Sequence, residues 1–226
     1  MHPSYKNDSD LGKRVNQNLI DLGLETPVTD KVKGVSTVKI EQIAPHFREI
    51  MEILGLDLTD DSLCDTPNRV AKMYVNEIFY GLDYSKFPKC TAIENKMKAN
   101  GSFLLEKNIN VQSNCEHHFV VIDGLATVAY LPDKKLLGLS KLNRIVQFFA
   151  KRPQVQERLT EQIRATIQFV AETKDVAVYI DARHWCVKSR GIQDQTSSTV
   201  TLSVGGVFAE DNSETRREFL NLARSA

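Results

Sequence analysis

The chain has 226 residues, enough for one large domain or for a domain with an accessory segment. Hydrophobic residues make up 42% and charged residues 26%, as in an ordinary globular protein with a buried core. Lysine plus arginine and aspartate plus glutamate each total 29. The balanced charge therefore indicates no general attraction to nucleic acid or to a membrane surface, and any anion site must be local.

Two further features bear on location. No apolar stretch reaches the roughly 18 residues of a membrane span. The first 33 residues lack the apolar segment of a signal peptide. We therefore expect a cytoplasmic protein without a membrane partner. Its cysteines are then expected to be reduced thiols that can bind a metal, namely Cys64, Cys90, Cys115 and Cys186.

The first 90 residues are predicted to be an arm followed by helices. Residues 1–35 are polar and predict a flexible N-terminal arm, with a weak helix near 15–22. Apolar residues recur at helical spacing over 38–54. Asp65-Thr66-Pro67 is typical of a helix start. Residues 36–90 therefore predict an N-terminal helical segment.

Residues 91–226 predict the main domain. Asp123-Gly124 predicts a tight hairpin turn between strands 119–122 and 125–131. A helix is expected from Ser140, which would cap it, and a second helix from about Pro153. Strands over 176–183 and 199–204 and a polar helix over 212–224 complete the order. This order predicts an α+β fold with a largely antiparallel sheet.

A metal site is predicted from two clusters of cysteine and histidine. Cys115 and His118 are three residues apart, so one tight turn can direct both side chains to a single point. Cys186 follows a predicted strand, and the period of two places it on the same face as His184. Zinc accepts thiolate and imidazole ligands in a tetrahedron, and three protein ligands leave the fourth position for water. In that arrangement His117 and His184 are placed to transfer protons.

Other interpretations of these residues remain open. One is a closed structural site in which one of those two histidines is the fourth ligand. The other is a buried cysteine beside a hydrogen-bonded histidine, with no metal.

A helix start with two cations predicts an anion site. Ser140, Lys141 and Arg144 lie in the first turns of the predicted helix, where backbone N–H groups and basic side chains suit phosphate. Lys188 and Arg190 add cations just beyond Cys186. The alternative is an ordinary capped helix with a solvated face. The sequence has no Gly-Lys-Ser/Thr phosphate loop, which argues against a kinase or an ATP-driven motor.

At these residues the sequence resembles the GTP cyclohydrolase I family. The resemblance runs from about residue 43 to residue 224 and leaves the first forty residues uncovered. It is carried by five segments in the right order, which are DTPNRVAKM (65–73), CEHHF (115–119), GLSKLNR (138–144), QFFAKRPQVQERL (147–159) and HWCVKSRG (184–191).

The resemblance implies an activity and a role for each matching residue. The reaction is the conversion of GTP and water to formate and 7,8-dihydroneopterin triphosphate, the first step of pterin and folate biosynthesis. The implied zinc ligands are Cys115, His118 and Cys186, and the implied proton-transfer residues are His117 and His184. Gln156 and Glu157 match the positions that recognise guanine. The implied triphosphate-binding residues are Lys141, Arg144, Arg190 and, from a neighbouring subunit, Arg69, next to Ser140 at the predicted helix start.

The resemblance also implies an architecture. We expect the tunnelling fold, an antiparallel sheet with two packed helices, in a catalytic domain over 91–226, and a toroidal homodecamer with active sites between subunits. Two rival functions remain. One is a zinc-stabilised module that binds a purine nucleotide without converting it, and the other is a related tunnelling-fold enzyme that acts on another pterin or a deazapurine.

Overall fold

A computed structural model describes residues 6–29, 36–96 and 102–225. It is a mixed α+β structure, as the sequence predicts. Its helices are α1 (Ser9–Asp21), α2 (Ser36–Ile53), α3 (Thr66–Met73), α4 (Leu139–Ala150), α5 (Gln156–Ala171), α6 (Trp185–Lys188) and α7 (Glu214–Arg224). Its strands are β1 (Ala92–Glu94), β2 (Leu104–Cys115), β3 (Val121–Tyr130), β4 (Lys135–Leu137), β5 (Pro153–Gln154), β6 (Val176–His184) and β7 (Thr199–Val204).

A five-stranded sheet forms the centre of the molecule. Its strand order is β5-β2-β3-β6-β7, and only the short contact between β5 and β2 is parallel. A separate two-stranded sheet pairs β1 with β4. The long antiparallel strands confirm the predicted sheet type. None of the helices in the described part of the chain has the length and apolarity needed to span a bilayer.

Helices cover both faces of the large sheet. Helices α4 and α5 pack against each other and against the sheet, and their apolar stripes join one core with alternate residues of β3 and β6, such as Val128 and Val178. The intervening residues Ala129 and Ala177 face the other side, where they belong to a second buried cluster that includes Phe219 of α7. This alternation follows from the period of two along a strand.

The N-terminal segment belongs to the same core, so the prediction of a flexible arm is wrong for residues 9–21, whereas the weak helix predicted near 15–22 overlaps α1. Asp8 caps α1 by accepting a hydrogen bond from the Leu11 N–H at 2.9 Å, and Val15 and Leu19 are fully buried. These two apolar residues form a stripe too narrow to stand out in a polar sequence. The predicted arm at 1–5 and 30–35 lies outside the described residues.

Arg152 joins the N-terminal segment to the main domain from a fully buried position. Its guanidinium donates to the Thr26 hydroxyl at 3.2 Å, to the Tyr84 hydroxyl at 3.2 Å and to the Gly81 carbonyl. It also lies over the rings of Tyr84 and Phe149, 5.1 Å and 4.6 Å from their centroids. Carbonyl oxygens and aromatic faces thus replace the water that a buried cation loses.

The predicted turn at Asp123-Gly124 is wrong, because both residues lie within β3 and pair with β6. The glycine is needed for a close approach of strands. A Cβ at Gly124 would lie 2.2 Å from the Asp181 carbonyl oxygen and 2.4 Å from the Ala182 Cα. The hairpin turn instead joins β2 to β3 across residues 115–120.

Two predicted helix starts also differ. Gly138 occupies the position before α4, so Ser140 lies inside the helix and does not cap it. Pro153 is part of β5, paired with Asn114 of β2, and α5 begins only at Gln156. The tertiary pairing of the segment before α5 therefore outweighs the local preference of proline for a first helical turn.

Candidate metal centre and active site

Two thiols and an imidazole converge as the sequence predicts. The ligand atoms of Cys115, His118 and Cys186 all lie within 4.8 Å of one another. Within the described ranges, no other group of three or more Cys, His, Asp or Glu residues meets this criterion. Soft thiolates with an imidazole form a ligand set that suits zinc, and three such ligands leave one position open. The residues present therefore fit a catalytic type of zinc site.

The sheet brings the two halves of this cluster together. Cys115 is the last residue of β2, and the antiparallel partner of Ile122 in β3 is His184, the last residue of β6. Cys186 then follows in the first turn of α6. The predicted strand geometry at Cys186 is therefore wrong, although the residue reaches the predicted site.

The turn that carries His118 is closed by backbone hydrogen bonds and an aromatic anchor. The Cys115 N–H donates to the Val120 carbonyl at 2.8 Å, and the Phe119 N–H donates to the Cys115 carbonyl at 2.8 Å. Phe119 has a left-handed backbone with φ of 55°, and its ring lies 5.3 Å from that of Phe79. We call residues 115–120 the metal loop.

The surroundings of Cys186 favour its protonated thiol when no metal is bound. Burial raises the pKa of the Cys186 thiol, and the neighbouring Cys115 raises it further. Metal binding must displace these thiol protons, so it is expected to be favoured at higher pH. Arg190 is exposed and lies next to the cluster, where its guanidinium donates to His118 Nε2 at 2.8 Å.

His117 and His184 lie near the cluster but outside the mutually close group of three. His117 is exposed, with Nδ1 3.7 Å from Cys115 Sγ. The mutually close group therefore consists of three ligands and includes neither of these histidines.

The hydrogen bonds of Gln156 fix which nitrogen of His184 is basic. The Gln156 side-chain NH₂ donates to the carbonyl oxygens of Thr199 at 2.8 Å and Ile180 at 3.2 Å. Its Oε1 therefore faces His184 Nε2 at 2.8 Å and accepts the Nε2–H. In the neutral ring, Nδ1 then carries the free lone pair. Burial lowers the pKa of His184, and the Glu157 carboxylate partly offsets that effect.

Gln156 and Glu157 are neighbours with different environments. Gln156 is 1% exposed, and its amide makes the internal hydrogen bonds just described. Glu157 is exposed in the first turn of α5, close enough to His184 to influence its pKa. Of the two residues implied in guanine recognition, Glu157 therefore has a side chain that a ligand can reach, whereas the Gln156 amide is already hydrogen-bonded inside the protein.

Apart from Arg190, the predicted phosphate-binding residues lie on helices α3 and α4. Arg69 is exposed on α3 and pairs with Asp65 at 3.4 Å. Lys141 and Arg144 are half-buried in the first turns of α4, where their charges act on Cys90, and Ser140 is exposed beside them. Within the described residues, no hydrogen bond or ion pair joins Arg69, Ser140 or Lys141 to the metal ligands.

Two residues at the metal loop were given no role from the sequence, namely Glu116 within the loop and Arg158, which contacts it. Glu116 lies between the ligand Cys115 and His117, and its carboxylate pairs with the Arg158 guanidinium of α5. The side chains of Arg158 and Glu116 are only 17% and 27% exposed. For Glu116, the signal in the sequence was its position between a predicted metal ligand and two histidines.

The comparisons with known proteins agree with this geometry. The sequence profile described as GTP cyclohydrolase I matches residues 43–224. A relative named GTP cyclohydrolase 1 from Aeromonas salmonicida is 61% identical over 199 residues, which is 88% of this chain and 89% of that protein. The relative of the same name from Shewanella denitrificans is 58% identical over 216 residues, which is 96% of this chain and 98% of that protein. The one from Haemophilus ducreyi is 56% identical over 214 residues, which is 95% of this chain and 97% of that protein. The chain belongs to the GTP cyclohydrolase I family.

Proposed function

We propose that this protein converts GTP and water to 7,8-dihydroneopterin triphosphate and formate, with one zinc ion bound per chain. The observation that carries the proposal is the cluster of Cys115, His118 and Cys186 beside His184 and Glu157, in a member of this family. The cluster offers metal ligands, and the neighbouring side chains offer proton transfer and recognition of a purine edge.

The two cysteines and His118 would hold the zinc ion. Bound zinc supplies Lewis acidity for the activation of water. Because two thiolates offset the charge of the ion, this acidity is milder than at a three-histidine site, and neighbouring proton-transfer groups contribute more to the rate.

His184 and His117 would supply those proton transfers. The C8 carbon of guanine is a weak electrophile, so attack by water needs a base for the water proton and an acid at N7. His184 presents Nδ1 because Gln156 occupies its Nε2–H. Its lowered pKa keeps the ring largely neutral near pH 7, which suits it to accept a proton. His117 is exposed on the opposite half of the cluster and can act as the second group.

Glu157 would determine the choice of base. A carboxylate can accept two hydrogen bonds from the N1–H and 2-amino groups of guanine. Adenine offers no such pair of donors, so binding ATP would leave the carboxylate without partners. We therefore expect strong preference for GTP over ATP.

The triphosphate would be bound by Lys141, Arg144 and Arg190, with Ser140 at the helix start. Arg190 lies beside His118, whereas Lys141 lies on a different part of the chain next to Cys90. A complete site would then combine residues of adjacent subunits, with Arg69 donated by a neighbour. This arrangement supports assembly into a homo-oligomer, a decamer by resemblance, with the tunnelling fold.

The proposal is tested by Cys186→Ser, with Cys64→Ser as the control because Cys64 is exposed and lies outside the cluster. Zinc per chain and GTP-dependent formate release are measured for both. We expect Cys186→Ser to lose zinc and formate release, and Cys64→Ser to keep both. Full formate release by zinc-free Cys186→Ser would refute the proposal, and zinc binding without any conversion of GTP by the wild type would favour a binding module.

A further inference from the structure

The metal loop is held from outside by β5 and α5. Cys115 pairs with Gln154 where β2 meets β5, and the Glu116 N–H donates to the Gln154 carbonyl at 3.0 Å. The Arg158 guanidinium then contacts the Glu116 carboxylate through one nitrogen and donates through Nε to Gln154 Oε1 at 3.1 Å. One planar guanidinium therefore ties the loop to the strand beside it.

The contacts continue from Gln154 into the N-terminal segment. Gln154 Nε2 donates to Gln162 Oε1 at 2.9 Å, and Gln162 Nε2 donates to the Leu24 carbonyl at 2.7 Å and to the Thr26 hydroxyl at 3.2 Å. Both glutamine side chains are fully buried. The path thus runs from residues 24–26 through two interior amides to the metal loop.

Each amide in this path has a single possible orientation. Gln154 Nε2 also donates to the Phe149 carbonyl at 3.0 Å, so a flip of either amide would set an oxygen against a carbonyl oxygen. In both glutamines the side-chain NH₂ therefore donates and the side-chain oxygen accepts. A fully satisfied buried network of this kind is rigid, because each change leaves an unpaired polar group in the interior.

We infer that Arg158 and Gln154 are positioning residues for the metal loop, and that Gln162 connects them to the docked N-terminal segment. The inference rests on the proposed metal site and adds residues outside its ligand set. Glu116 has the ligand Cys115 directly before it and His118 two residues after it. Holding the Glu116 backbone and carboxylate fixes the separation of the two ligands before an ion binds.

The expected effect is on metal affinity. Outer contacts that orient metal ligands typically change affinity about 10- to 100-fold when they are removed. Arg158 acts through the loop and does not touch a ligand, so we expect a loss near the lower limit, about tenfold.

The experiment measures the zinc dissociation constant of the full chain by competition with a chelator of known affinity, with cobalt(II) absorbance as a second readout of ligand geometry. The variants are Glu116→Gln, Arg158→Met and the two combined. Glu161→Gln is the matched control, because Glu161 pairs with Arg164 at 2.8 Å on the same helix without contacting the metal loop. Circular dichroism checks that each variant is folded. Should Arg158→Met not fold, Glu116→Gln, which keeps the size of the side chain, carries the test.

We expect both single variants to bind zinc about tenfold more weakly, the combined variant to lose no more than either, and the control to match the wild type. Unchanged zinc affinity in folded Glu116→Gln would overturn the inference and leave the proposed function standing. Losses that add in the combined variant would also overturn it, because the two side chains would then act separately. A wild-type chain that binds no zinc would instead overturn the metal site and the inference together.

Discussion

The substitution Gln156→Leu separates two roles for this residue. If the Gln156 amide recognises guanine, its loss weakens substrate binding. If it holds His184, its loss changes the rate and the stability. Leucine has a similar size, so the variant removes the hydrogen bonds of the amide without leaving a large cavity.

The magnitude follows from those hydrogen bonds. The variant removes the bonds to His184 Nε2 and to the Thr199 oxygen, both 2.8 Å, and the longer bond to the Ile180 oxygen at 3.2 Å. Leaving the half-buried His184 N–H without an acceptor costs about 1–3 kcal/mol. Each lost hydrogen bond to a carbonyl oxygen costs about 0.5–1.5 kcal/mol, and water at the exposed Thr199 recovers part of that cost. We expect the free energy of unfolding to fall by about 2–4 kcal/mol. A catalytic group displaced by about 1 Å loses on the order of 100-fold in rate.

The assay combines steady-state formation of the pterin product with urea unfolding. We expect kcat to fall on the order of 100-fold with little change in KM for GTP. Gln168→Leu is the control, because Gln168 lies on the same helix as Gln156 and is also hydrogen-bonded through its amide. That amide accepts from Arg164 and donates to the Lys174 carbonyl, and it forms no hydrogen bond with His184. A raised KM with unchanged kcat and stability would refute the reasoning and restore guanine recognition to Gln156.

Three further predictions concern the strand contact, a buried thiol and the phosphate site. Gly124→Ala should destabilise the protein by about 1–3 kcal/mol or more, because the new Cβ meets the Asp181 carbonyl; an unchanged urea midpoint would contradict this. Burial raises the pKa of Cys90 to about 12 from 9.0, so unfolding should become easier as pH rises through this window. The contribution is up to about 1.4 kcal/mol per pH unit, and Cys90→Ala should flatten the wild-type dependence of unfolding free energy on pH. Replacing Lys141 and Arg144 by alanine should raise KM for GTP and leave weak binding of guanosine unaltered in a competition assay; an unaltered KM would remove the phosphate assignment.

Elements with strong periodicity could be predicted from the sequence. The stripe of α2, the start of α3 at Thr66 and the strand β6 follow from local spacing that tertiary packing reinforces. The turn predicted at Asp123-Gly124 is wrong because glycine is favoured both in a tight turn and where two strands approach closely. The two cases differ in the pairing with a distant strand, which the local sequence does not show. Helix α1 was predicted only as a weak helix near 15–22, because Val15 and Leu19 are its only fully buried large apolar residues among polar neighbours.

The ligands of the site were predictable from residue chemistry, whereas the supporting residues were not. Cysteine and histidine at short spacing are rare enough to indicate a metal. Arg158 and Gln154 are ordinary polar residues on a helix and a strand, and they reach Glu116 only because β5 pairs with β2. Their importance depends on long-range pairing, which no local pattern encodes.

The buried guanidinium of Arg152 has a practical consequence for anyone shortening or fusing this protein. Its partners come from three stretches of chain, namely Thr26, Gly81 with Tyr84, and the ring of Phe149, and a guanidinium stays charged at any working pH. Trimming the first 29 residues as a dispensable leader would strip away Thr26 and open the cation to solvent. An expression tag or a fusion partner should therefore leave residues 6–29 in place.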